Sequence, residues 1–215
     1  HSSNLIVVAA RTGGSDDDTS GITLFLLCAD TDGIEITKTS MVDSRNSANI
    51  KFNDVAVSSS DLLGEENNGA AILGEVLDRA QIAISAEMLG NASQAFDVTL
   101  DYLKERKQFG SVIGTFQALQ HRAAEMYSEL ELTKSSVIAA CNAVDENSND
   151  LKRMASLAKY KAGETNHLVT NEAVQMHGGV GVTDEYDVGL YLKRARVTEQ
   201  IFGNSEYHLD RYATL

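Results

Sequence analysis

Two short runs hold the residue types whose spacing could support binding or chemistry. Gln175-Met176-His177-Gly178-Gly179-Val180-Gly181-Val182 closes one long amphipathic pattern, and Glu105-Arg106-Lys107-Gln108-Phe109-Gly110 closes another. Both offer backbone groups and long polar side chains at the point where a helix stops. Each also has a plain structural reading. Cations at a helix C-terminus complement its dipole, and a glycine pair after the last periodic residue is an ordinary C-cap. Gly178-Gly179-Val180-Gly181 is spelled like a dinucleotide loop, but it follows a helix instead of a strand, so the Rossmann reading fails its context test.

Other chemistries find no support. The five histidines (His1, His121, His167, His177, His208) show no metal-ligand spacing, and His121 and His167 are expected to be half-buried helix residues. No Gly-x-Ser-x-Gly elbow is present. Cys28 and Cys141 lack metal or redox spacing, which suits a reducing cytoplasm with both as small core residues. With 18 Lys+Arg against 31 Asp+Glu, the net charge of −13 argues against nucleic acid or an anionic membrane as partner. An anionic ligand would need a local basic patch. No apolar run reaches the roughly 18 residues of a membrane span, and no basic n-region precedes an apolar segment.

The elements that must position these runs follow from periodicity. Leu5–Arg11, Ile22–Ala29, Ile34–Thr37 and Asn49–Val57 read as short strands separated by Gly/Ser/Asp-rich turns, part of an antiparallel sheet or barrel. So apolar a first strand, met directly after His1-Ser2-Ser3, is expected to have partners on both sides and so to belong to the C-terminal part of a longer protein. Composition turns polar over Ser58–Gly69 and helical beyond it. Three-or-four spacing of apolar residues predicts helices over about Ala70–Lys107, Thr115–Asp145, Asp150–His177 and Tyr186–Phe202, with a short last helix after Gly203-Asn204-Ser205. Short connections make neighbours antiparallel. The fold expected is mainly α: an antiparallel up-down four-helix bundle over residues 62–215, preceded by a partial antiparallel β-domain over 1–61. Proline is absent where average usage predicts about ten, and we have no physical account of this.

Taken together and in order, these features resemble the acyl-CoA dehydrogenase family over essentially the whole chain. Leu5–Val57 is similar to the second half of that family's middle β-domain, Leu62-Leu63-Gly64-Glu65 to its entry into the C-terminal bundle, and Asp78-Arg79 through Gly90 to its first bundle helix. Glu105–Gly110 resembles one family signature, Phe116-Gln117 the next motif, and Glu172–Gly179 a second signature. The resemblance implies FAD as cofactor, an acyl-CoA substrate, an electron-transfer flavoprotein as electron acceptor, and a homo- or hetero-oligomer formed through the bundle with the dinucleotide held across a subunit interface. Arg106 matches the arginine that pairs with the pyrophosphate, Gln108 and Phe109 match flavin-side contacts, and Gln117 matches a residue near the adenine end. Gln175, Gly178 and Gly179 match a neighbouring subunit's contribution, and Ser205 falls among the cofactor-contact positions.

The family reaction is α,β-dehydrogenation of a thioester, in which a glutamate removes the α-proton while the β-hydrogen leaves as hydride. This sequence departs from that pattern. Gly203 stands where the common glutamate belongs, Ala80 stands at the alternative position, and Gln81 follows it where arginine is frequent. Glu206, three residues past Gly203, is the weak substitute candidate for the base. Three readings remain open: a dehydrogenase-like flavoprotein of fatty acid metabolism, a non-catalytic subunit that completes a partner's site, or a structural bundle without flavin.

Overall fold

The computed structural model describes all 215 residues, in two compact units, His1–Leu77 and Asp78–Leu215. In the first unit, β1 (Leu5–Arg11) pairs antiparallel with β2 (Ile22–Cys28), and β3 (Ile34–Ser40) with β4 (Asn46–Phe52). The two ladders are not hydrogen-bonded to each other. β1 has the expected bounds. β3 runs on to Ser40 and β4 begins at Asn46, because Thr39, Ser40, Asn46 and Ser47 pair through their backbones and show no hydrophobic signal. β4 stops at Phe52, and Asp54 at φ 50° turns the chain before Val55 and Val57, which stay outside the strand.

The β1–β2 loop is held by one cation. The Arg11 guanidinium donates to the carbonyl oxygens of Gly13, Asp16, Asp18 and Ser20 at 2.8–3.2 Å. The polar stretch after β4 is tied down too. The Leu63 amide donates to the Leu24 carbonyl at 2.9 Å and the Asn67 amide to Thr23 Oγ1 at 2.8 Å.

The helical part follows the predicted periodicity. α1 spans Gly69–Glu105, α2 Gln117–Asp145, α3 Leu151–His177, α4 Val188–Gln200 and α5 Ser205–Thr214. α3 is the hub and packs against α2, α4 and α5. Its inward stripe is rich in small residues (Ala155, Ala158, Ala162, Ala173), which lets neighbouring helices approach closely. The main core joins Ala92, Phe96 and Leu103 of α1, Met126 and Leu130 of α2, Val169 and Met176 of α3, and Val188 of α4. Each large side chain buried there contributes about 1.5–3 kcal/mol.

Several expectations need correction. Cys28 and Cys141 are exposed, not core residues: Cys28 ends β2 on the strand's outward alternation, and Cys141 lies on the outer face of α2. His121 and His167 are exposed as well, and the buried histidines are His177 and His208. α1 ends at Glu105, so Arg106 is the first residue beyond the helix, although its amide still donates to the Tyr102 carbonyl at 2.9 Å. No helix is long and apolar enough to cross a membrane.

Candidate functional site

Past α1 the chain makes a tight hairpin in which β5 (Lys107–Gln108) pairs with β6 (Ser111–Val112). Phe109 and Gly110, at φ 52° and 77°, form its two-residue loop. Positive φ at both central residues matches the twist of the flanking strands, but a phenylalanine is rare there. Its ring is 91% exposed. The hairpin projects Arg106, Gln108 and Phe109 from the end of α1.

α3 ends beside this hairpin. Gly178 at φ 65° stops it, and residues Gly178–Val182 continue as a single 3₁₀ segment. A Cβ placed on Gly178 or Gly179 would meet nothing within 4 Å, so the backbone there lies open to an approaching molecule. The ends of α1 and α3 are joined by Tyr102. Its ring stacks on the His177 imidazole, its hydroxyl reaches the His177 carbonyl, and Tyr186 packs edge-on against it at 5.3 Å.

The result is one cleft of about 440 Å³. Arg106, Gln108 and Phe109 line one wall, Gln175, Gly178 and Gly179 the other, and Tyr102, Phe116 and His177 lie among them. Six of the residues expected at a cofactor site therefore meet within one chain. Gln117 stands exposed at the first turn of α2, next to Phe116 and outside the lining. Ser205 lies elsewhere. Its Oγ sits 2.9 Å from where a Cβ on Gly163 would be, 14 residues before His177, or about 21 Å away along α3.

Ser205 belongs to a second polar cluster, around the α4–α5 turn. Lys159, 1% exposed, donates from Nζ to the carbonyl oxygens of Glu199 at 3.1 Å and Gly203 at 2.9 Å. Burial lowers its ammonium to about 8, against a smaller opposing pull from Glu199. His208 Nε2 lies 3.0 Å from the Phe202 carbonyl, and burial pushes this imidazole down to about 4. Arg211 donates to Asp78 at 2.5 Å, to Ser156 at 2.9 Å and to Gln81 at 3.1 Å, which pins α5 to α1 and α3. Sequence reasoning missed Lys159. The signal was there, as a lysine on the apolar stripe of α3 between Ala158 and Ala162.

Gly203 is at φ 105°, and a Cβ on it would stand inside contact distance of Tyr207 Cδ1 and 3.0 Å from His208 Nε2. A side chain at this position requires positive-φ backbone and a shift of the Tyr207 ring. Ala80 is half-buried on α1, and Glu206 is exposed in the first turn of α5.

The chain is an antiparallel helical bundle with an arginine- and glycine-walled cleft at one pair of helix ends. Comparison identifies its family. Residues 67–214 match the family model described as acyl-CoA dehydrogenase, C-terminal domain. The short/branched chain specific acyl-CoA dehydrogenase of Bos taurus is 34% identical over 196 residues, 90% of this chain and 45% of that protein. The structure of butyryl-CoA dehydrogenase from Megasphaera elsdenii superposes with a TM-score of 0.91 at 30% identity, covering 98% of this chain and 55% of that one. The ChsE4-ChsE5 complex from Mycobacterium tuberculosis is similar at a TM-score of 0.86 and 26% identity, covering 98% and 55% of the respective chains. The chain belongs to the acyl-CoA dehydrogenase family. It spans about half the length of the relatives it matches.

Proposed function

We propose that the chain is part of a flavoprotein that dehydrogenates an acyl-CoA thioester, with FAD in the cleft between the ends of α1 and α3. The observation that carries this reading is the convergence of Arg106, Gln108 and Phe109 with Gln175, Gly178 and Gly179 on one cleft. The residues fit the group. A guanidinium fork suits phosphate oxygens bidentately and supplies positive charge locally in an acidic chain. The open backbone of Gly178 and Gly179 leaves space that side chains would fill. FAD, when bound, accepts the β-hydrogen as hydride. The protein's part is to hold and align it: Arg106 neutralises phosphate charge, and Tyr102 fixes the two walls against each other. Residues 1–61 form part of a β-domain and residues 62–215 the bundle. The separation of Ser205 from the cleft supports an oligomer in which one chain's cleft and another chain's α4–α5 turn share each dinucleotide. A cytoplasmic location and an electron-transfer flavoprotein as electron acceptor complete the reading.

A second reading concerns the base. Gly203 cannot take a proton, and a side chain in its place would have to displace Tyr207. Glu206 points to solvent, at the turn where an acidic group complements the helix dipole. This favours a subunit whose partner in a hetero-oligomer supplies the α-proton acceptor. The test is the visible spectrum of the full-length protein, followed by anaerobic addition of acyl-CoA. A flavin band that bleaches only with a co-expressed partner supports the two-subunit form. A band that bleaches alone supports self-sufficient catalysis, and the absence of any flavin band in both preparations contradicts the FAD reading.

A further inference from the structure

The α4–α5 turn is strained, and buried side chains hold it that way. Phe202 and Gly203 stand in succession at φ 61° and 105°. Left-handed backbone at a non-glycine residue persists only where the surroundings impose it. Here they act on the carbonyl oxygens. Lys159 Nζ donates to Glu199 at 3.1 Å and to Gly203 at 2.9 Å, and His208 Nε2 donates to Phe202 at 3.0 Å. One turn further along α3, Gly163 leaves space for Ser205, whose Oγ lies 2.9 Å from where a Cβ would stand. The Glu199 carbonyl is among the last four of α4, which have no partner within their own helix. Lys159 therefore caps α4 from α3.

Stability alone does not account for Lys159. Its side chain is 1% exposed, and burial lowers its titration to about 8, so folding disfavours the charged form. An apolar side chain of similar length would avoid that cost. It would not draw two carbonyl oxygens to one point. The anchors are buried, but the turn they hold is open to solvent: the Phe202 ring is 41% exposed, and Gly203 and Asn204 are half-buried.

We infer that Lys159 is a positioning residue: it fixes the α4–α5 turn in its strained form, so that the open side of the turn meets the dinucleotide held in another chain's cleft. This rests on the shared-dinucleotide reading above. Lys159 touches no ligand itself and acts through the Glu199 and Gly203 carbonyls. Without its donors the backbone at Phe202 and Gly203 relaxes, and the contact is lost while the bundle stays folded.

The test uses the full-length protein in the oligomeric form that binds FAD, and reads the FAD dissociation constant, the visible flavin band and the thermal melt at pH 7. Lys159→Met removes the donors at similar length, and Lys159→Gln keeps a shorter, neutral donor. Ala139→Gly, on the exposed face of α2, is the control, because it lowers stability through helix propensity alone. The expected result is FAD binding weakened roughly five- to tenfold in Lys159→Met, with a shifted flavin band, and an intermediate loss in Lys159→Gln. Both should melt within about 4 °C of wild type, whereas Ala139→Gly should melt about 2–4 °C lower and bind FAD as tightly as wild type. FAD binding by Lys159→Met within about twofold of wild type would overturn the inference. So would a matching loss of FAD in Ala139→Gly, or failure of both Lys159 variants to fold, either of which makes the role one of stability. Wild-type protein that binds no FAD would instead refute the shared-dinucleotide reading, so the two failures are distinguishable.

Discussion

The Tyr102 ring lies 4.2 Å from the His177 imidazole, centroid to centroid, and its hydroxyl donates to the His177 carbonyl oxygen at 3.2 Å. One residue of α1 thus clamps the last residue of α3 through both side chain and backbone. Removing only the hydroxyl, as in Tyr102→Phe, should keep the stack and cost about 1 kcal/mol. In a chain of this size that lowers the melting temperature by about 2–4 °C. Differential scanning calorimetry checks it, and an unchanged melting temperature would show that the clamp is not load-carrying.

The two glycines after α3 should separate capping from binding. Gly178 stops the helix at φ 65° and ψ −142°, backbone that is essentially reserved for glycine, so Gly178→Ala should destabilise by about 1–3 kcal/mol through backbone strain. Gly179 has no positive φ and open space where a side chain would go. Gly179→Leu should therefore fold with near-wild-type stability while losing FAD. Thermal melts with and without added FAD distinguish the two. Loss of fold stability in Gly179→Leu would contradict the open-cradle geometry.

Arg211 meets Asp78, whose side chain is only 4% exposed. Breaking such a pair leaves a buried charge without a partner, at a cost of about 3–5 kcal/mol. Arg211→Met should be severely destabilised in urea melts, and adding Asp78→Asn should recover part of the loss. Full additivity of the two substitutions would show that they do not interact.

Two buried bases set the pH dependence. His208 titrates near 4 in the folded chain, below its ordinary value of 6.5. The unfolded chain therefore binds more protons between those values. Stability from this group is fully present above pH 6.5 and is lost as pH falls towards 4. Lys159 titrates near 8 against an ordinary 10.5, so stability should rise between about pH 8 and 10.5 as the buried ammonium becomes neutral. Lys159→Met should remove that alkaline rise, and His208→Asn the acid loss. Melts across pH of wild type and variants check both slopes, and parallel curves would contradict them.

Gly203→Glu should not restore a base. The backbone conformation and the packing of Tyr207 cost about 1–3 kcal/mol before any proton moves. The expected outcome is lower stability and no gain in anaerobic bleaching by acyl-CoA. A clear gain would show that the α4–α5 turn can rearrange.

Much of this was legible in the sequence. The apolar stripes of α1 and α3 report directly on burial, so Met88, Ala92, Ala162, Val169 and Ala173 fall in the core as periodicity predicts. The two glycine-ended runs were visible because helix stops are chemically marked. Their meeting within one chain was not legible: the family resemblance assigns Gln175, Gly178 and Gly179 to a neighbouring subunit's contribution, and nothing in local spacing says that Tyr102 meets His177. The exposed cysteines and the exposed His121 and His167 were misjudged because residue type gives only an average burial, whereas the face of the helix decides. The partners of Lys159 and His208 could not be read from the sequence, because they are backbone carbonyls of Glu199, Phe202 and Gly203, which have no side-chain signature.

The most direct test of the central claim is the FAD content of the full-length protein, read from its visible spectrum, in wild type and Arg106→Ala. If the guanidinium and the glycine backbone grip one dinucleotide, wild type is purified yellow and Arg106→Ala loses most of its FAD while keeping its fold by circular dichroism. Equal FAD in both would contradict it.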